Sequence, residues 1–222
     1  FALKRVESDW AYNLREKAWK TEKDATLRGL GSMDSERAWE FRSRVLKVSS
    51  STGKQIVKSK WADSLLLSLT EINTPRAMEI REQCVEDHSW SVLLSTKGIS
   101  SDECEFSYEL RKQFLIKAPK FVAKTLSGLV GDKDWELRES CLGAWNELLD
   151  GIKHLEGAKP DALRLKLWSK SPHGVVDSLG VGYDKWSLSE NPWLKKLSEK
   201  EWKHILVIKT ILEREEKRLR EE

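Results

Sequence analysis

Long apolar runs are missing from this chain. Nothing approaches the ~18 consecutive apolar residues of a membrane-spanning helix, which argues against a helical membrane protein. No basic start, apolar stretch and small-residue cleavage site opens the sequence, so no secretory leader is read. Charge of a single sign is lacking too. The 39 basic and 36 acidic residues leave a net +3 and are interspersed throughout, so no basic block announces nucleic acid. Cysteine is scarce and odd in number. Cys84, Cys104 and Cys141 are too widely spaced for a disulfide framework and suit buried thiols in a reducing compartment, so a cytoplasmic location is expected. The chain starts at Phe1 rather than Met, which leads to the expectation of a segment of a longer polypeptide.

What is present is helix-forming. The 222 residues are 39% hydrophobic and 34% charged, a balance that suits a helix-rich protein with a thin core. Eleven tryptophans are many for this length, and most recur at regular places.

The recurrence is an internal repeat. Ala38-Trp39-Glu40-Phe41-Arg42 matches Asp134-Trp135-Glu136-Leu137-Arg138 and Ser107-Tyr108-Glu109-Leu110-Arg111. Ala77-Met78-Glu79-Ile80-Arg81 and Ala11-Tyr12-Asn13-Leu14-Arg15 share the frame, and Ala162-Leu163-Arg164 is a degenerate sixth copy. The frame reads small, large apolar, polar, apolar, arginine. Its arginines are 27, 39, 30, 27 and 26 residues apart. A second signature follows: Leu126-Ser127-Gly128-Leu129 resembles Leu179-Gly180-Val181, with looser copies at Lys97-Gly98-Ile99 and Arg28-Gly29-Leu30. The fifth copy lacks it, and Ile152 to Gly157 stands in its place.

Each copy reads as helix, turn, helix, glycine stop. Pro119 and Pro172 each fall eight residues after a frame arginine, which predicts the first turn of a second helix. Pro75 and Pro160 suit the start of first helices. Val122, Leu126 and Leu129 share one helical face, as do Leu137, Cys141, Ala144 and Leu148. The glycine of each Gly-Leu pair is expected to take the left-handed conformation that ends a helix. About a dozen extra residues enter the second copy, with Ser49 to Gly53 a loop and Lys54 to Ile72 a lengthened second helix. Residues 182–191 look irregular. Ser198-Glu199-Lys200-Glu201 is a capping-box pattern opening a long C-terminal helix that caps the last repeat or docks on a partner.

A repeat of this kind resembles HEAT-like repeats of the short, two-helix variety, over roughly Ser8 to Val181. The wording from Asp34 to Arg42, with its Gly-Leu ends, is also similar to helical repeats fused to bacterial thymidylate-kinase-like proteins. That likeness implies a phosphate-binding kinase domain outside this sequence. The HEAT-like resemblance implies a binding surface or scaffold. A few such proteins bind DNA, including a class of alkylpurine DNA glycosylases of comparable length, though no motif of those enzymes is matched.

The polar candidates each admit two readings. Arg15, Arg42, Arg81, Arg111, Arg138 and Arg164 form a ladder at one repeat position. They either bond acidic groups or carbonyls of adjacent repeats, or track phosphates from a concave face. Tyr12, Trp39, Tyr108 and Trp135, three residues before the arginines, either pack between repeats or stack bases. Trp186 and Trp193, in the irregular segment, are better candidates for an exposed contact. Ser51-Thr52-Gly53-Lys54 lacks the first glycine and the Ser or Thr of a phosphate-binding loop. Cys84 and His88 are too few for zinc, and no Ser-His-Asp set is legible. Asp102, Glu103 and Glu105 suit a helix start, where negative charge is favoured.

The sequence therefore predicts an all-α fold, a right-handed α-solenoid of about six short HEAT-like helix pairs over residues 1–181. An irregular segment and C-terminal capping helix follow at 182–222. It predicts a protein-binding or scaffold module with no cofactor or metal, engaging a protein partner or a fused catalytic domain. Nucleic-acid binding and an accessory role to a nucleotide kinase are the alternatives.

Overall fold

The computed structural model describes residue 3 and residues 5–178, apart from 49–54, 58 and 154. The expected loop at 49–53, the glycine stop at Gly180 and everything expected of residues 182–222 lie outside the described residues.

Within them the chain is helical apart from one small hairpin. In order come α1 (Asp9–Trp19), α2 (Lys23–Arg28), α3 (Glu36–Ser43), β1 (Leu46–Val48), β2 (Gln55–Val57), α4 (Ala62–Ser68), α5 (Pro75–Cys84), α6 (Ser89–Ser95), α7 (Glu105–Phe114), α8 (Pro119–Thr125), α9 (Asp132–Ser140), α10 (Trp145–Gly151), α11 (Ala158–Leu167) and α12 (Pro172–Ser178). Pairing α1 with α2, α3 with α4 and so on accounts for each repeat copy. Pro75, Pro119 and Pro172 open α5, α8 and α12, where the missing N–H would have no helical partner. Pro160 is the third residue of α11, in its first turn, and Gly157 at φ 115° precedes that helix.

These short helices cannot bury their apolar faces alone. The even-numbered helices do it for one another: α2 packs on α4, α4 on α6, α6 on α8, α8 on α10 and α10 on α12. Leu27, Leu65, Leu66, Leu93, Val122, Ala123, Leu148 and Leu149 are buried along this row in one continuous core. The odd-numbered helices are tied at their surfaces. Asp9 meets Arg37, Glu16 meets Arg44, Glu105 meets Lys133, Asp132 meets Lys159 and Glu139 meets Lys166, each pair joining neighbouring copies.

Three expectations are corrected. Lys54 to Ile72 is not one long helix. Gln55–Val57 pairs antiparallel with Leu46–Val48 in the register Leu46 to Val57, Lys47 to Ile56 and Val48 to Gln55. A 3-10 turn at Ser59–Trp61 then leads into α4. The β-branched pair Ile56-Val57 favours extended backbone, and α4 alone covers the stretch that faces α2. The face Leu137, Cys141, Ala144 and Leu148 is buried, but it crosses a break: α9 ends at Ser140 and Leu142–Ala144 is a 3-10 turn.

The third correction concerns the glycine stops. Gly98 and Gly128 do take left-handed backbone, at φ 79° and 76°. Gly29 does not, at φ −68°. The left-handed residue of that copy is Ser32, at φ 65°, and in the second copy it is Glu71, at φ 67°. The true register places Ser32, Glu71, Gly98 and Gly128 in line, each two residues beyond a carbonyl that a frame arginine uses.

Candidate functional site

The six frame arginines are the largest polar investment of the fold, and all are buried, at 0–3% exposure. Their donors are directed by a rule of spacing. Arg42 Nη2 donates to the carbonyl of Leu30, twelve residues back, at 3.0 Å, and Nη1 to that of Met33, nine back, at 2.7 Å. Arg15 uses Leu3 and Val6, Arg81 uses Leu69 and Ile72, Arg138 uses Leu126 and Leu129, and Arg164 uses Ile152 and Leu155. Each guanidinium thereby holds the turn that closes the preceding copy.

The same side chain also reaches forward. Arg81 Nε donates to Ser95 Oγ at 2.9 Å, and Nη2 to the Ser95 carbonyl at 3.0 Å. Arg42 does the same with Ser68, Arg111 with Thr125 and Arg164 with Ser178. These hydroxyls end the even-numbered helices and were missed in the sequence. The signal was available as Ser or Thr fourteen residues after the arginine, in the wording Ser95-Thr96, Thr125-Leu126 and Ser178-Leu179. Glycine stands in its place in two copies, Gly29 at fourteen residues after Arg15 and Gly151 at thirteen after Arg138. The frame arginines of those copies each have a buried nitrogen lacking a partner: Nε of Arg15, the atom that the hydroxyl serves elsewhere, and Nη1 of Arg138.

Arg111 is the variant that explains the longest uninterrupted spacing. Three extra residues, Ser100 to Asp102, separate it from the carbonyl of Thr96, to which Nη2 donates at 2.8 Å. The displaced acceptor is replaced by Ser101 Oγ at 2.7 Å, with the carboxylate of Asp134 at 3.5 Å from Nη1. Asp134 is fully buried and accepts from the Ser101 N–H at 3.0 Å and the Ser100 hydroxyl at 3.1 Å. Sequence reading placed Asp134 only as the first residue of its repeat frame.

Burial lowers the proton affinity of these arginines: Arg42, Arg81, Arg111 and Arg138 are each brought down to about 10, principally by loss of solvent. They remain cationic at neutral pH, held by carbonyl dipoles rather than by counter-ions in most copies. None of the six offers its charge to an external phosphate.

Three of the four rings in the aromatic row are internal, while Tyr108 is half-buried, donates to Glu136 of the next copy and lies beside Lys112 and Lys133. Tyr12, Trp39 and Trp135 are buried. Tyr12 lies between Arg15 and the Arg37 of the next copy, whose guanidinium carbons stand 4.8 and 4.2 Å from its ring centre. Trp39 lies likewise between Arg42, at 4.8 Å, and Arg76, at 4.3 Å. These rings are sandwiched between cations, with no open face for a base. Trp186, Trp193 and the Ser51–Lys54 segment lie outside the described residues.

Other candidates resolve simply. Cys84 and Cys141 are buried, which pushes each thiol up to about 11. No group of three or more His, Cys, Asp or Glu among the described residues could hold a metal ion. Glu105 is paired with Lys133 at 2.6 Å, and Asp102 accepts from the Lys133 backbone at 3.4 Å, so both carboxylates tie α7 to α9. His88 Nδ1 and Ser91 Oγ do converge with a carboxylate. Both bond the same Asp63 oxygen, at 3.1 and 2.7 Å. The serine therefore donates to the acid and not to the imidazole, which leaves no relay to activate it as a nucleophile.

One surface feature was not foreseen. On the even-numbered row, Trp90 of α6 and Phe121 of α8 remain 46% and 40% exposed. Their ring centres are 5.1 Å apart at an interplanar angle of 64°, and Trp90 rests edge-on against Phe114 at 5.0 Å. Ile116, on the turn before α8, is 94% exposed. Sequence reading assigned Trp90 to no repeat position and passed over Phe121, because the two occupy different places in their own helices and meet only when α6 packs on α8.

No family model, curated protein or solved structure matches this chain. Among the described residues, no helix is long and apolar enough to cross a membrane.

Proposed function

We propose that this chain is a short right-handed α-solenoid of HEAT-like helix pairs and works as a non-enzymatic protein-binding or scaffold module. The observation that carries this reading is the division of the surface. Along the odd-numbered helices, charges are consumed in pairs between copies. On the even-numbered row an aromatic cluster stands open although its neighbours are buried, and exposed aromatic clusters of this kind serve as anchors in protein interfaces. Stacked pairs with repeated inter-copy bonds support the solenoid. Three buried, unpaired thiols support a reducing location such as the cytoplasm.

A nucleic-acid role draws less support. Its motivating features were the arginine ladder and the aromatic row, and both are consumed in holding copies together. The test is affinity purification of the protein from its native cells. A partner recovered in stoichiometric amount and reproducibly supports the scaffold reading. Repeated recovery of nothing, together with retention of duplex or single-stranded nucleic acid in low-salt filter binding, would overturn it.

A further inference from the structure

We infer that the Trp90–Phe121 cluster is a docking site for an acidic protein segment carrying large apolar side chains. This rests on the scaffold reading and names the partner's chemistry. Three observations combine. The rings of Trp90 and Phe121 stay exposed while held in a fixed edge-to-face arrangement over Phe114, so an incoming side chain meets a preformed apolar surface. Ile116 extends that surface on the turn leading into α8.

The second observation is charge. Lys117, Lys120 and Lys124 are exposed on and just before α8. None of them makes an ion pair with a described residue, whereas Lys112, Lys133, Lys159 and Lys166 on the odd-numbered helices all do. The Lys124 ammonium lies 5.6 Å from the Phe121 ring centre, which puts positive charge directly beside the apolar anchor. Carboxylates flanking an apolar residue would meet these lysines without displacing any existing partner.

The third observation distinguishes a peptide from a nucleic-acid strand. The neighbouring even-row segments carry Glu86 and Asp87 before α6, and Glu147 and Asp150 on α10. Of α4, α6, α8, α10 and α12, only α8 carries lysine or arginine within the helix. A phosphate backbone tracking along the row would meet carboxylates on both sides, while a short acidic segment fits the confined footprint.

The experiment uses the whole chain and fluorescent peptides with Leu and Phe anchors one helical turn apart. Their flanks are glutamate, glutamine or lysine, and binding is read by anisotropy. The expected result is that the glutamate peptide binds roughly tenfold tighter than the glutamine peptide, with the preference fading as salt rises. Trp90→Ser and Phe121→Ser should each abolish the binding. Because those rings also touch Phe114, the double variant Lys120→Glu with Lys124→Glu, at exposed positions, should invert the charge preference while leaving the circular dichroism unchanged. Equal binding of all three peptides, binding of none, or tighter binding of a single-stranded oligonucleotide would overturn the site. So would self-association that the ring variants abolish, since a second copy would then be the occupant. A cellular partner held equally by the unaltered protein and the ring variants would leave the scaffold reading standing and dismiss this site alone.

Discussion

Arg81 and Ser95 stand fourteen residues apart in the chain and 2.9 Å apart in space, the guanidinium Nε donating to the hydroxyl inside a fully buried pocket. The same pair of carbonyls and the same hydroxyl position recur around most frame arginines. Removing this guanidinium takes a donor from the carbonyls of Leu69, Ile72 and Ser95 together, of which Leu69 keeps the Ile72 N–H. Arg81→Ala should therefore cost on the order of 3–5 kcal/mol in urea unfolding followed by circular dichroism, and Arg81→Lys most of that, since an ammonium cannot span the same acceptors. Ser95→Ala alone should cost roughly 1 kcal/mol. Added to Arg81→Ala it should cost little more, because the two losses are one interaction.

The two glycines at the hydroxyl position offer a gain. Gly151 ends α10 as Ser68, Ser95, Thr125 and Ser178 end their helices, and a Cβ there would meet nothing nearer than 3.4 Å. Gly151→Ser should place a hydroxyl where Ser68, Ser95, Thr125 and Ser178 accept from the Nε of a frame arginine, and should stiffen the end of α10. The midpoint of urea unfolding should rise, by an amount equivalent to about 1–2 kcal/mol. Gly151→Ala separates the two effects, since it stiffens without accepting. An equal gain from both variants would show that the hydroxyl contributes nothing.

Gly98 is held by two constraints at once. Its φ of 79° disfavours a side chain, and a Cβ would fall 2.4 Å from Cγ of Glu71. Gly98→Ala should destabilise by roughly 1–3 kcal/mol. Gly143, where an added Cβ has nothing within 4 Å, should accept alanine with little change. Thermal melts of the two variants side by side make the comparison.

The Asp63 carboxyl is held below its usual 3.8 by the Ser91 hydroxyl and then by His88. Its folded form binds protons less readily than its unfolded form, so its stabilisation is present above the unfolded value and is lost as pH falls through the folded one. Melting temperature should decline on acidification below about pH 4, and Asp63→Asn should flatten that part of the profile. An unchanged profile in the variant would assign the acid sensitivity elsewhere, with Glu16, held down by Arg44, the next residue to replace.

The helix pairs, their order and the helix-opening prolines were legible because they rest on local rules: apolar periodicity, and the tolerance of proline only at a helix start. The arginine ladder was legible as a pattern but not as a direction. Whether Arg42 faces water or Leu30 depends on packing between copies, which periodicity does not encode. The register of the left-handed turn was misread because Gly29 imitates Gly98 three residues too early, while Ser32 and Glu71 adopt the strained conformation without being glycine. Trp90 and Phe121 were invisible as a pair since their encounter is tertiary. Asp134 was read only as part of its repeat frame, and its use as a neighbour of Arg111 follows from a three-residue lengthening elsewhere.

The ladder also gives the molecule a polarity. Every frame guanidinium grips the turn that precedes it, so each helix pair depends on acceptors already made by the residues before it. Shortening from the far end uncovers carbonyls that water can satisfy. Deletion from the near end takes away the carbonyls that hold the next guanidinium in place. A chain emerging from the ribosome meets these requirements in the order it is made.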